Sequence, residues 1–230
     1  MASSRTSYLV PGLLLVAVIL LGLAISWNNF FLLRVKPYSM PAGSMEPTLE
    51  VGDMFLVEQL SPAVGESKVP VRGDIVVFFL PGDPRIAYVK RLIGLPGDNL
   101  QMHEGKVILN GTPLTYDRID DYVGENASGA KVSVQRYRET LPGGRVYEIL
   151  DLTPDGMMDN TNTYSVPEGH VFVLGDNRDN SIDSRFKGQV GFVPIENVSG
   201  VAKDVYFSGA GEQFTWRSVV PSGKGASLER

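Results

Sequence analysis

The chain has 230 residues, a formal net charge of −5 and no cysteine. That length holds one large domain or a domain with a subdomain. Without thiols there is no disulfide, cysteine nucleophile or thiolate metal site, and the acidic balance argues against nucleic acid as a partner. The two histidines, His103 and His170, give thin support for a histidine-based triad or metal cluster. With 25 Gly and 15 Pro, the chain is broken by many turns, which favours an all-β reading.

No charged residue occurs from Thr6 to Leu33, and the most apolar part runs from Leu9 to Ile25. Roughly 20 apolar residues cross a bilayer as a helix, so residues 9–27 read as a transmembrane anchor after a short tail, 1–8. Trp27, Phe30 and Phe31 stand where an interfacial aromatic belt forms. Arg5 lies on one side, Arg34 and Lys36 on the other, so counting cations does not orient the span.

Strand-like runs follow. They are Met54–Glu58, Asp74–Leu80 and Ile86–Ile93, separated by turn residues such as Pro81-Gly-Asp-Pro84. Lys106–Leu114 reads as a hairpin turning at Asn110-Gly111. Residues 115–164 are more polar, with weak strand patterns, and read as an inserted β subdomain. Gly169–Leu174, Val190–Val193 and Gly200–Phe207 return to strand patterns, and residues 208–230 read as a loose tail. The catalytic β domain would comprise 28–114 and 165–207.

Three stretches stand out. Pro41-Ala-Gly-Ser-Met-Glu-Pro-Thr-Leu49 places Ser44 between prolines that fix their own φ and push their predecessors out of the helical region. It reads as an ordinary Pro/Gly loop or as a stiff, non-helical segment presenting a hydroxyl. In Tyr88-Val-Lys-Arg-Leu92, residues 88, 90 and 92 share one strand face. Lys90 with Arg91 is a solvated basic pair, or Lys90 is a desolvated amine able to take a proton from a serine. Gly175-Asp-Asn-Arg-Asp-Asn-Ser-Ile-Asp-Ser-Arg185 is too polar for a core. It departs from a Ca²⁺ loop, with Ser181 where Gly is required and Lys187 where the twelfth-position Glu belongs. It reads as an acidic solvated loop or as a hydrogen-bonded network beside a site. In such a network Ser181 would hold the lysine amine, and Asp183 and Arg185 would form a buried pair.

Taken together, Gly43–Leu49, Arg72-Gly-Asp-Ile-Val-Val-Phe78, Tyr88-Val-Lys-Arg-Leu-Ile-Gly-Leu-Pro-Gly-Asp98 and Gly175–Arg185 resemble bacterial type I signal peptidase. That family is a membrane-anchored Ser/Lys protease which removes signal peptides. The resemblance covers about Met40 to Val205. It implies a mainly β, signal-peptidase-like catalytic domain with an inserted smaller β subdomain and one N-terminal transmembrane helix. It also implies Ser44 as nucleophile and Lys90 as general base, with Ser181 orienting the lysine and Asp183 and Arg185 as a structural pair. Tyr38, Met40, Val77 and Val89 would line pockets for small side chains at the first and third positions before the cut. No cofactor or metal is implied. The expected partners are preprotein signal peptides and membrane lipid. The expected location is the bacterial cytoplasmic membrane, with the catalytic domain on its outer face. Relatives outside bacteria use His where Lys90 stands. Many members carry a Ser two residues before the nucleophile, and here that position is Ala42. A Ser/Lys self-cleaving repressor is a weaker reading, because the chain has a membrane segment and lacks a helix-turn-helix pattern. A membrane-tethered scaffold is weaker too, because Ser44 and Lys90 are both intact.

Overall fold

The structure is a computed structural model that describes residues 18–22, 34–60, 70–80, 83–125, 130–153 and 155–223. Of the expected anchor, only 18–22 falls among them, as helix; the rest of 9–27 lies outside the described residues. Among the described residues no helix is long and apolar enough to cross a membrane.

The strands are β1 (Val35–Ser39), β2 (Met54–Gln59), β3 (Ile75–Leu80), β4 (Asp83–Gly94), β5 (Asn99–His103), β6 (Lys106–Leu109), β7 (Thr112–Pro113) and β8 (Thr115–Arg118). They continue as β9 (Tyr122–Glu125), β10 (Lys131–Thr140), β11 (Val146–Asp151), β12 (Tyr164–Ser165), β13 (His170–Leu174), β14 (Val193–Pro194), β15 (Val198–Ser208) and β16 (Gln213–Ser218). The protein is mainly β. An eight-stranded sheet runs β1-β2-β15-β3-β4-β13-β14, with β16 also paired to β15. One four-stranded sheet joins β8, β9, β10 and β11, and another runs β12-β5-β6-β7.

The continuous apolar run of β3 is explained by burial on both faces. Ile75 and Val77 enter a cluster with Met45, Leu49, Phe55 and Val89. Val76 and Phe78 enter another, with Leu92, Val171 and Val173. The Asn110-Gly111 turn forms as read, with both residues at positive φ (51° and 79°), as a type I′ hairpin requires. The segments 99–114 and 164–166 join the insert in a third core containing Leu100, Val107, Leu141, Tyr147 and Tyr164. Ile93, Phe172 and Leu174 reach into it from the main sheet. Gln213–Ser218 were read as loose tail but form β16. Its pairing with β15 is a tertiary fact, and the Gly/Ser signals around it mask the short alternation of Phe214 and Trp216.

Candidate active site

Ser44 sits on a single 3₁₀ turn, Gly43–Met45, between β1 and β2. The sequence reading expected no helix here. The flanking prolines limit it to one turn, closed by the Glu46 N–H donating to the Gly43 carbonyl at 3.2 Å. Met45 and Leu49 are fully buried and anchor the turn. Two backbone bonds fix its base: Met40 N–H to Asp53 O and Gly52 N–H to Met40 O, both 2.8 Å.

Lys90 comes from β4, opposite Val76 of β3. It is 5% exposed. Tyr88 on the same face packs in the apolar cluster of Leu92 and stacks on Phe78 at 5.6 Å. Lys90 Nζ lies 2.7 Å from Ser44 Oγ, across 46 residues of sequence. Its second contact is an N–H donated to the Val89 carbonyl at 2.9 Å. When the amine is charged it donates to Oγ; when neutral, its lone pair accepts the Ser44 O–H. Burial pushes the Lys90 pKa down to about 8, against the raising charges of Asp183 and Asp176, while Arg185 pushes it lower. No carboxylate is hydrogen-bonded to the amine among the described contacts.

β13 ends at Leu174 opposite Arg91, so the polar loop 175–185 begins beside Lys90. It straps the Ser44 turn: Asn177 N–H donates to Ser44 O at 3.2 Å and Asn177 Nδ2 to Gly43 O at 3.0 Å. Asp183 and Arg185 form a two-point buried pair, with Nε and Nη2 each donating at 2.8 Å. Asp183 also accepts the Gly175 N–H at 3.0 Å. Ser181 does not make the bond read for it. Its Oγ is buried without a hydrogen-bond partner and packs against Gly175, and the lysine amine turns instead to the carbonyl of Val89.

Gly175 has no room for a side chain. A Cβ there would lie 2.2 Å from Ser181 Oγ and 2.6 Å from the Ser44 carbonyl. Gly175→Ala is therefore expected to push the Ser44 turn away from Lys90 and to cost roughly 100-fold in kcat, the penalty of about 1 Å of misplacement. Steady-state kinetics on the folded variant check it.

Tyr38, Met40, Val77 and Val89 meet in one cluster, with Tyr38 partly buried and the other three buried. That cluster adjoins the Ser44 turn through Met45.

Several site residues escaped the sequence reading. The sequence offers Arg91 only as half of a solvated basic pair with Lys90. It is 1% exposed, and its Nε and Nη2 both donate to the Asp176 carboxylate. The Thr48 hydroxyl donates to the same carboxylate, tying it to the segment that follows the Ser44 turn. The signal was present: an arginine inside a run of Val, Leu and Ile must find a buried partner. Its identity, 85 residues away, was not. Among the described residues, Asp151, Asp159 and Asp179 are the acidic side chains that gather closely enough to hold a cation. Two of them serve as loop caps. Asp179 accepts the N–H groups of Leu152 and Thr153, and Asp159 that of Gly156.

Residues 11–207 match the family described as signal peptidase, peptidase S26. Signal peptidase I of Rickettsia typhi is 35% identical over 208 residues, covering 80% of this chain and 75% of that protein. Signal peptidase I of Rickettsia prowazekii is 34% identical with the same coverage. A crystal structure of a signal peptidase I from Enterococcus faecalis is 31% identical, covers 59% of this chain and 98% of its own, and superposes with a TM-score of 0.34.

Proposed function

From the premise that the chain belongs to the signal peptidase family, peptidase S26, serine peptidases that remove signal peptides, we propose that Ser44 is its nucleophile and Lys90 its neutral general base. The observation that carries this reading is the 2.7 Å contact between Lys90 Nζ and Ser44 Oγ, with the amine buried and its pKa lowered.

The steps follow from that contact. Ser44 Oγ attacks the scissile carbonyl as its proton passes to the Lys90 lone pair. The oxyanion is held by the Ser44 N–H; Ala42, exposed and extended, brings no hydroxyl to help. The lysinium then gives its proton to the departing amine of the mature protein, leaving an ester on Ser44. A water deprotonated by Lys90 attacks the ester, and the proton returns to Ser44 Oγ as the signal peptide leaves. No cofactor is required. Asp183 and Arg185 support the loop, and Ser181 supports it by packing on Gly175.

The small residues before the cut enter pockets lined by Tyr38, Met40, Val77 and Val89. Residues 9–27 anchor the chain in the bacterial cytoplasmic membrane, and the catalytic domain faces outward, where signal peptides emerge. The main sheet, β16 included, forms the catalytic domain, and residues 99–114 pack with the insert, 115–164.

Preprotein cleavage in detergent tests the reading. An Ala-x-Ala preprotein should be cut once, after the last small residue. Replacing the first Ala before the cut by Leu should lower kcat/KM by about 10–100-fold, since overfilling a packed pocket costs ~1–3 kcal/mol. Equal cleavage of both substrates would refute the pocket assignment.

A further inference from the structure

The insert reaches the catalytic pair from two directions. Glu139 of β10 is 0% exposed. Its carboxylate accepts Arg178 Nη2 at 2.7 Å and the Tyr147 hydroxyl of β11. Arg178 is equally enclosed and donates Nε to the Gly175 carbonyl at 3.1 Å. Its own carbonyl accepts from Arg185 Nη2. Arg178 thus connects the insert to the segment that carries Gly175, Asn177 and Asp183. On the other side, the Tyr147 ring lies 4.0 Å from Arg91 Cζ. Arg91 is the chain neighbour of Lys90 and is bound to Asp176. The Leu150 N–H donates to the Asp176 carbonyl at 2.9 Å, so β11 grips both partners of that pair.

Burying an ion pair is a poor way to stabilise a fold, because desolvation offsets most of the attraction. A buried Glu139–Arg178 pair between the insert sheet and the polar loop is better suited to fixing geometry. Breaking it leaves an uncompensated charge, so the loop has one preferred seating on the insert.

We propose that Glu139 and Tyr147 are positioning residues for peptide cleavage. Glu139 holds Arg178 of the loop that straps Ser44, and Tyr147 holds Arg91 against Asp176 beside Lys90. The insert is then part of the active-site framework. This rests on the reading of Ser44 and Lys90 as nucleophile and base.

The charged groups acting on Lys90 are Asp176, Asp183 and Arg185, all from the loop; the nucleophile turn adds the Ser44 hydroxyl, and β4 adds Arg91. Glu139→Gln removes one negative charge behind the loop and leaves Arg178 uncompensated. Neither Glu139 nor Arg178 is among the charges that act on Lys90, so the acid limb of kcat/KM should stay in place while kcat falls.

The test uses the full chain in detergent micelles with one preprotein. Glu139→Gln and Tyr147→Leu should fold, by near-UV circular dichroism, and lose roughly 10–100-fold in kcat with KM within about twofold. Tyr147→Phe deletes only the hydroxyl and should lose less than Tyr147→Leu. Glu148→Gln, which cuts an ion pair with Arg136 on the surface of the same sheet, should leave kcat unchanged. Where Glu139→Gln does not fold, Tyr147→Leu decides. Folded Glu139→Gln and Tyr147→Leu with wild-type kcat would overturn the inference, as would losses that merely track the folded fraction. Ser44→Ala run beside them separates the two levels. Activity in Ser44→Ala defeats the nucleophile assignment, while an inactive Ser44→Ala with fully active insert variants defeats the inference alone.

Discussion

Ser44→Ala is expected to abolish preprotein cleavage while the fold stands: kcat should fall by on the order of 10⁴–10⁶-fold, the loss seen when a serine nucleophile is removed. The expectation follows from what Ser44 does in the structure. Among the described residues its Oγ has one hydrogen-bond partner, Lys90 Nζ at 2.7 Å. Its carbonyl, bound by the Asn177 N–H, is backbone and survives the substitution. The turn stays anchored by Met45 and Leu49, which are fully buried. Lys90 keeps its bond to the Val89 carbonyl and gains no new charge. Stability should therefore change by less than about 1 kcal/mol, within the range of a single lost hydrogen bond. Turnover, circular dichroism and a thermal melt on one preparation check both halves. Near wild-type turnover would exclude Ser44 as the nucleophile.

Lys90→Arg is expected to be equally silent, although it preserves the charge. A guanidinium stays protonated at any working pH, so it cannot take the Ser44 proton. It is also larger and planar, and Lys90 is 5% exposed. The wild-type pH profile reports the same chemistry. Burial lowers the Lys90 pKa to about 8, with Asp183 and Asp176 opposing and Arg185 assisting. On the proposed mechanism the base works when neutral, so kcat/KM should be high above that value and fall tenfold per unit below it. At pH 6 the rate should be roughly 100-fold below the plateau. An unshifted amine would keep the whole range from pH 6 to 10 on the rising limb. An active Lys90→Arg enzyme, or a profile flat from pH 6 to 9, would defeat the neutral-base mechanism.

The strands were largely legible because their signals are local. β3 is a run of Ile, Val and Phe long enough to be buried on both faces, and Asn110-Gly111 is a turn that its residue types nearly force. Ser44 and Lys90 could be named from motifs whose residues lie close in sequence. Their residue types alone left a Pro/Gly loop and a solvated basic pair as open alternatives. Only the tertiary structure brought the two side chains to 2.7 Å, because that distance depends on β1 and β2 framing one end and β13 delivering the polar loop to the other. The same holds for Arg91 with Asp176 and for Glu139 with Arg178, pairs separated by 85 and 39 residues. Local pattern shows that a charge inside an apolar strand needs a partner, but not which one, since partner choice is made by packing between sheets. Ser181 shows the opposite limit. Its place in the motif suggested a bond to Lys90. The close approach of Gly175 and the nearer carbonyl of Val89 decided otherwise.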